Sequence, residues 1–141
     1  MIIVLDTNAL VQVFGARSPF LPLQLAILDG RLGLAFSTAM LLEYEEVLTR
    51  YGGLARWPRV WQALEMTGQL HDNVRRLDPT YQWRLIVADP DDDKFADCAI
   101  AANADYIVTS GRHFASLIGS GYKPQPITPE EFIAQHLTPA P

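Results

Sequence analysis

The sequence predicts an α/β fold, a three-layer α/β/α sandwich with a mainly parallel central sheet. The chain opens on Ile2–Leu5, a run of large, mostly β-branched apolar residues that stops at Asp6, and such a run is typical of a buried strand. Further short apolar runs alternate with segments of helical periodicity, which favours a parallel sheet covered by helices. The 141 residues, 49% of them hydrophobic, are enough to bury one core. We therefore expect the first strand at the centre of the sheet, apolar on both faces.

Turn and capping residues set the boundaries of the predicted elements. Gly30 suits the C-terminal cap of the second helix. Ser37 stands where an N-cap belongs, and Gly52 and Gly53 end the helix that follows it. In chain order, the predicted strands are 2–5, 31–36, 73–77, 106–109 and 126–128, and the predicted helices are 8–14, 21–29, 39–51, 56–70, 92–103, 113–118 and 129–136.

The chain shows no repeat, linker or membrane-spanning run. We expect residues 1–137 to form a single domain and 138–141 a frayed C-terminal tail. No apolar run approaches the ~18 residues that a membrane-spanning helix needs, and Met1 leads straight into a strand, where a signal peptide would have no room. Cys98, the single cysteine, excludes an internal disulfide framework and a cysteine-based zinc site, and we expect it to be a packing residue. These features predict a cytoplasmic protein.

The net charge of −5 bears on possible partners. It argues mildly against a protein that grips nucleic acid by bulk electrostatic attraction. A nuclease remains compatible with this charge. Clustered carboxylates add to the negative net charge of the chain, but the local potential around them becomes positive when they hold a divalent cation.

Acidic residues in three separate segments are candidates for a shared site. Asp6 follows the first strand, at the strand end where open α/β sheets bind ligands. Glu43 lies at the edge of the apolar stripe of the helix predicted over 39–51, and its alternative is a solvated helix glutamate. The segment 89–93 carries four acids in five residues, of which capping and the helix dipole explain one or two. A bound cation would offset the remaining repulsion.

Two further groups of residues stand near these acids in the predicted fold. Asp97 is one helical turn beyond Asp93, so it faces the same cluster or lies on the surface. Thr109 and Ser110 offer hydroxyls at the end of a later strand. Carboxylates from several segments are the ligands that Mg²⁺ or Mn²⁺ prefers, and such sites activate water and stabilise charge on a phosphate. The sequence contains no Gly-rich phosphate loop and no paired-histidine zinc motif.

The sequence resembles PIN-domain proteins, which are metal-dependent ribonucleases, and most of all the VapC-like toxins of type II toxin–antitoxin pairs. The resemblance rests on four stretches in the family's order, 3–8, 37–48, 89–99 and 104–109. It implies that Asp6, Glu43 and Asp92 are the catalytic, metal-binding acids. Asp92 is preferred to Asp93 because the Asp-Pro-x-Asp pattern begins at Asp89. The resemblance also implies that Asn8 orients Asp6, and that Thr109 or Ser110 lines the same cleft.

One position departs from the family pattern. Family members commonly carry an acid two residues after the strand-end Thr109, and this chain has Gly111 there. The loss would weaken metal binding, leave a gap for water, or mark an impaired nuclease. Asp93 and Asp97 are the candidates to compensate.

The resemblance implies an endoribonuclease that uses Mg²⁺ or Mn²⁺ to cut single-stranded or loop RNA. It also implies a small antitoxin protein as partner and a homodimer. Trp57, Trp61 and Leu64 have helical spacing and suit either a dimer interface or, as we favour, core packing. The candidate RNA contacts are the basic residues Arg17, Lys94, Arg112 and His113.

Two alternatives stay open at this point. A PIN-like domain with impaired catalysis would act as an RNA- or protein-binding module. A phospho-receiver signalling module would also place an acid such as Asp6 at a strand end and a Lys-Pro pair near a later strand. However, Lys123 and Pro124 precede the last predicted strand instead of following it, and a receiver has paired acids where this chain has one.

Overall fold

The computed structural model describes residues 1–138 of the chain. Its sheet has five strands, all parallel, in the order β3-β2-β1-β4-β5. The first strand lies at the centre, as predicted, and Ile3, Val4 and Leu5 are fully buried there. The strands are β1 (Ile2–Leu5), β2 (Gly33–Phe36), β3 (Val74–Arg76), β4 (Tyr106–Val108) and β5 (Gln125–Ile127).

Helices connect these strands and cover the sheet. Each falls within a few residues of its predicted position. Over residues 1–138 the α-helices are α1 (Thr7–Val13), α2 (Leu21–Leu28), α3 (Thr38–Gly52), α4 (Arg56–His71), α5 (Asp93–Ala101) and α6 (Pro129–Phe132), with single 3₁₀ or π turns at Pro90–Asp92, His113–Leu117 and Ile133–Leu137.

The strand order places the helices in two layers. The chain steps outward from β1 to β2 and β3, then returns across β1 to β4 and β5. Because such crossovers are right-handed, the reversal puts α1 to α4 on one face and α5 on the other. In agreement, α3 packs on α1 and α4, whereas α5 packs on β1, β2 and β4. The predicted α/β/α sandwich is confirmed.

This topology decides between two of the functional classes considered above. Receiver-type sheets have the strand order 2-1-3-4-5, which differs from the order observed. The phospho-receiver alternative is therefore wrong. In the observed order the direction of winding reverses between β1 and β4, and open α/β sheets bind ligands in the crevice beyond the strand ends at such a reversal.

Caps and turns explain why the helices begin and end where they do. Ser37 caps α3 by accepting a hydrogen bond from the backbone N–H of Met40, as predicted. Helix α5 is one residue shorter at its start than predicted, because Asp89 accepts from the N–H of Asp91 and closes the 3₁₀ turn Pro90–Asp92 first. Gly30 adopts a left-handed conformation (φ +83°) just after α2, where a side chain would clash with His71.

Several side chains expected to pack in the interior do so. Cys98 is fully buried, and burial raises the pKa of its thiol to about 12, so it stays protonated. Leu64 is fully buried, and Trp57 stacks on Trp61 with ring centroids 5.8 Å apart. Trp61 in turn packs edge-on against the buried Phe36. Trp57, Trp61 and Leu64 thus make the contacts of core packing, which is the role we favoured for them.

Two further predictions concern membrane-spanning helices and the C-terminal tail. None of the helices described over residues 1–138 is long and apolar enough to cross a membrane. Of the predicted tail, Thr138 donates its backbone N–H to the carbonyl of Ile133, and residues 139–141 lie outside the described part.

Candidate active site

Asp6 lies at the point where the sheet reverses its winding. It follows β1 directly and caps α1, with Oδ1 accepting from the N–H of Ala9 at 2.8 Å. Its Oδ2 accepts a hydrogen bond from the hydroxyl of Thr109, at the end of β4. The two residues are 103 positions apart in sequence but meet because β1 and β4 are neighbours. Asp6 was expected to be oriented by Asn8; in the structure, Ala9 and Thr109 hold its carboxylate, and Asn8 lines the cleft beside it.

Glu43 reaches the same cleft from α3. Its Oε2 accepts a hydrogen bond from the hydroxyl of Thr7, and its Oε1 lies 2.8 Å from Nζ of Lys94. Lys94 also donates to the carbonyl of Asp91 at 2.8 Å. These bonds tie together α1, α3 and the start of α5. Glu45, two residues along, is exposed as expected.

Asp92 approaches from the other face of the sheet, in company with two residues that were not among the predicted metal ligands. Its Oδ2 lies 2.8 Å from Nδ1 of His113, and Oδ2 of Asp89 lies 3.8 Å from the same nitrogen. One ligand atom from each of the three residues fits within a span of 4.8 Å. The signal for Asp89 was present in the sequence, as the first acid of the Asp-Pro-x-Asp pattern.

A cleft of about 300 Å³ joins these groups. Five of the predicted site residues line it together: Asp6, Asn8, Glu43, Asp92 and Thr109. The remaining lining consists of Thr7, Val47, Asp89, Phe95, Gly111, His113 and Phe114.

The other three predicted residues lie outside the lining of this cleft. Ser110 is exposed beside it. Oδ1 of Asp93 accepts from the N–H of Ile86 at 2.9 Å, and Oδ1 of Asp97 accepts from the N–H of Trp83 at 3.1 Å. Both carboxylates therefore hold the segment that precedes α5. Neither lies in the cleft, so neither compensates for the absence of an acid at position 111.

The charge in the cleft favours a cation. Burial raises the pKa of the Asp6 carboxyl, the hydrogen bonds from Thr109 and Ala9 oppose that rise, and the charges of Asp92 and Glu43 add to it. An ionised carboxylate held among other acids in a poorly solvated place costs free energy unless a positive charge compensates it. Carboxylate oxygens are also the ligand type that Mg²⁺ and Mn²⁺ prefer. The residues present thus fit a divalent cation.

Gly111 leaves open the position where an acid is common in the family that the sequence resembles. Its N–H donates to Oγ1 of Thr109 at 3.0 Å. A Cβ built at this position would meet only that same oxygen, at 3.5 Å, which is an ordinary van der Waals contact. A side chain at position 111 therefore has room beside the cleft.

Among the candidate RNA contacts, only His113 lines the cleft. Lys94 is paired with Glu43, and Arg112 lines a neighbouring apolar groove with Ile118 and Ile127. Arg17 is exposed on the loop after α1.

The ionisation of His113 provides a test of this geometry in the metal-free protein. The hydrogen bond to Asp92 raises the pKa of the imidazole, and the negative charges of Asp92, Asp89 and Asp6 add to this. Because the folded-state pKa exceeds the unfolded value, the stabilisation is complete below pH ~6.5 and is lost as pH rises through the folded pKa. We expect an NMR titration to give a His113 pKa above 6.5 and Asp92→Asn to lower it. An unchanged pKa in that variant would contradict the observed pairing.

Comparison with known proteins places the fold. The chain is 18% identical to a chain in the crystal structure of VapBC2 from Rickettsia felis bound to a DNA fragment from its promoter, with a TM-score of 0.58, covering 89% of this chain and 98% of that one. It is 19% identical to a chain of VapBC-1 from nontypeable Haemophilus influenzae, with a TM-score of 0.57, covering 92% and 99%. No curated protein matches the sequence significantly. The family model of the PIN domain matches residues 2–113, and the chain therefore belongs to the PIN domain family.

Proposed function

We propose that the protein is a metal-dependent endoribonuclease and the toxin component of a toxin–antitoxin pair. The observation that carries the proposal is the meeting of Asp6, Glu43 and Asp92 in one cleft at the reversal point of the sheet. These acids come from three segments far apart in sequence, so their convergence is a property of the fold. Membership of a family whose members are generally nucleases supports the same activity.

The three acids would hold Mg²⁺ or Mn²⁺. A cation bound there would supply an activated water molecule and positive charge against the phosphate group undergoing hydrolysis. The chain's own residues prepare that site before RNA arrives. Thr109 and Ala9 fix the two oxygens of Asp6, and Lys94 holds Glu43 toward the cleft. Because carboxylates outnumber basic groups around the cleft and would repel a phosphate, we expect RNA to bind productively only to the metal-loaded protein.

The partners follow from the same proposal. The two similar structures are VapBC assemblies, and one of them is bound to promoter DNA. By analogy with them, we propose a cognate antitoxin for this chain. From its resemblance to the VapC-like PIN proteins, we propose single-stranded or loop RNA as its substrate and a homodimer as its assembly. Purification with the product of the adjacent reading frame tests the partner directly: co-elution supports an antitoxin, and separate elution contradicts one.

Glu43→Gln tests the proposed activity. We expect cleavage of a long single-stranded RNA with Mn²⁺ or Mg²⁺ to fall by about 10²-fold or more, because the variant keeps the size of the side chain and loses the charge that faces the cleft. EDTA should abolish cleavage by the unmodified protein.

Glu45→Gln is the matched control, since Glu45 lies on the same helix and is exposed. It makes the same chemical change and should leave the rate unaltered. Equal activity in the two variants would argue against a role for Glu43 as a metal ligand.

A second candidate function is an RNA- or protein-binding module with impaired catalysis, and Gly111 is the observation that favours it. Gly111→Asp separates the two. The position has room for a side chain, so we expect a folded variant that binds Mg²⁺ more tightly, by about tenfold or more, because one further carboxylate oxygen faces the cleft.

The outcome is measured by calorimetry and by RNA cleavage. An inactive natural protein whose Gly111→Asp variant cleaves RNA would assign the impaired module. Mg²⁺ affinity that is unchanged by the substitution would show that position 111 does not reach the metal site.

A further inference from the structure

We propose that His113 is a metal ligand, and that with Asp89 and Asp92 it forms a nitrogen-containing cation site that prefers first-row transition ions to Mg²⁺. The inference deepens the function proposed above and rests on it for its biological meaning, because it concerns the metal of the same cleft. The metal-binding chemistry itself can be measured without any RNA.

The geometry of the three side chains is that of a donor set converging on one point. Nδ1 of His113 lies 2.8 Å from Oδ2 of Asp92 and 3.8 Å from Oδ2 of Asp89. All three donors lie within 4.8 Å of one another, so a small shift of the side chains would bring them to about 2.0–2.2 Å from one ion. All three residues line the same cleft as Asp6 and Glu43.

The donors are held by rigid neighbours. Asp89 and Asp92 bracket the 3₁₀ turn Pro90–Asp92, which Asp89 itself caps through the N–H of Asp91. His113 begins the turn after β4, and the next residue, Phe114, is 1% exposed and packs edge-on against Phe95, with ring centroids 6.3 Å apart. A capped turn thus holds the backbone on one side of the site, and a buried aromatic residue anchors it on the other.

His113 is the basic residue that pairs with the two aspartates of this cluster. Among residues 1–138, the ion pairs made by Asp89 and Asp92 both go to His113. Lys94, the nearest lysine in sequence, is bound to Glu43 and to the carbonyl of Asp91. When the imidazole is neutral, its nitrogen lone pair and two carboxylates can bind a cation together.

The type of donor predicts the choice of metal. Mg²⁺ binds oxygen ligands in a near-ideal octahedron. Imidazole nitrogen favours the later first-row ions, whose affinities rise from Mn²⁺ toward Co²⁺ and Ni²⁺. Gly111 contributes no carboxylate, so the nitrogen of His113 is a donor in a site to which position 111 supplies no oxygen ligand. We therefore expect this cleft to bind Co²⁺ more tightly than Mg²⁺.

The test is calorimetric titration of the full-length protein with Co²⁺ and, separately, with Mg²⁺. The variant His113→Ala loses the proposed ligand and should bind Co²⁺ about tenfold more weakly or worse. Tenfold is the smallest loss expected, because removing a residue that only supports a metal ligand already has about that effect. Mg²⁺ affinity should change by less than Co²⁺ affinity. His71→Ala is the matched control, since His71 is an exposed histidine at the end of α4, and it should change neither.

Nitrogen-15 NMR of the three imidazoles gives a second readout that needs no variant. Addition of Zn²⁺ should shift Nδ1 of His113 and leave the resonances of His71 and His136 in place. Co²⁺ affinity that is unchanged in His113→Ala, equal losses for both metals, or an unshifted Nδ1 would each overturn the proposal. Failure of the proposed ribonuclease function is separable, because it would appear as absent RNA cleavage while Co²⁺ binding still depends on His113.

Discussion

Replacing Asp6 by asparagine is expected to abolish metal-dependent RNA cleavage, with a loss of at least about 10²–10³-fold. Asn keeps one oxygen, which can accept from the N–H of Ala9, and its amide nitrogen takes the place of the oxygen that faces Thr109, where it can donate to the hydroxyl oxygen. What disappears is the negative charge at the reversal point of the sheet. The measurement is initial cleavage rate at saturating Mn²⁺, with circular dichroism to verify the fold.

The same variant should change stability in a direction that a general disruption of the fold would not produce. The raised pKa of Asp6 means that its ionised form disfavours the folded state. The folded state therefore binds the proton more tightly than the unfolded chain does. The free energy of unfolding declines as pH rises from the pKa of Asp6 in the unfolded chain through its pKa in the folded protein. At pH 7 without metal, Asp6→Asn should unfold at a higher urea concentration than the unmodified protein. A variant that is both inactive and less stable would contradict this account of the site.

Phe114→Ala is expected to cost about 3–5 kcal/mol of the free energy of unfolding, the usual range for removing a large aromatic side chain from a core. Phe114 is 1% exposed and lies edge-on against Phe95 beneath the cleft. The cavity would open directly under the turn that carries His113. The variant should therefore lose metal affinity as well as stability, measured by urea unfolding and by calorimetry.

A matched aromatic substitution isolates the contribution of burial. Tyr51 is 76% exposed on α3, and Tyr51→Ala should change the free energy of unfolding by no more than about 0.5 kcal/mol. Similar losses in both variants would show that the packing around Phe114 is looser than the structure implies.

The sequence by itself predicted the local elements and the positions of two candidate acids of the site, Asp6 and Glu43. The apolar run ending at Asp6 is typical of a buried strand, because four consecutive large side chains need cover on both faces. The helical stripe in α3 placed Glu43 at its edge, since the 3.6-residue period decides which positions face the core. Both deductions depend on residues that are close in sequence, and both agree with the structure.

The segment 89–97 shows where sequence reasoning reached its limit. Its acids are chemically equivalent in the sequence, and their spacing alone did not determine which of them face the cleft. In the structure Asp89 and Asp92 do so, whereas Asp93 and Asp97 accept hydrogen bonds from the backbone of the segment before α5. The path of that segment across the helix therefore decides which acids face the cleft and which bind the backbone.

The tertiary structure also decided which distant residues meet. The adjacency of β1 and β4 brings Thr109 to Asp6, and the turn after β4 brings His113 to Asp92. Neither contact has a signal in local periodicity, because each depends on which strands become neighbours and on where a connecting turn leads. The sequence therefore determined the strands, the helices and the acidic character of the site, while the order of the strands selected the partners of each acid.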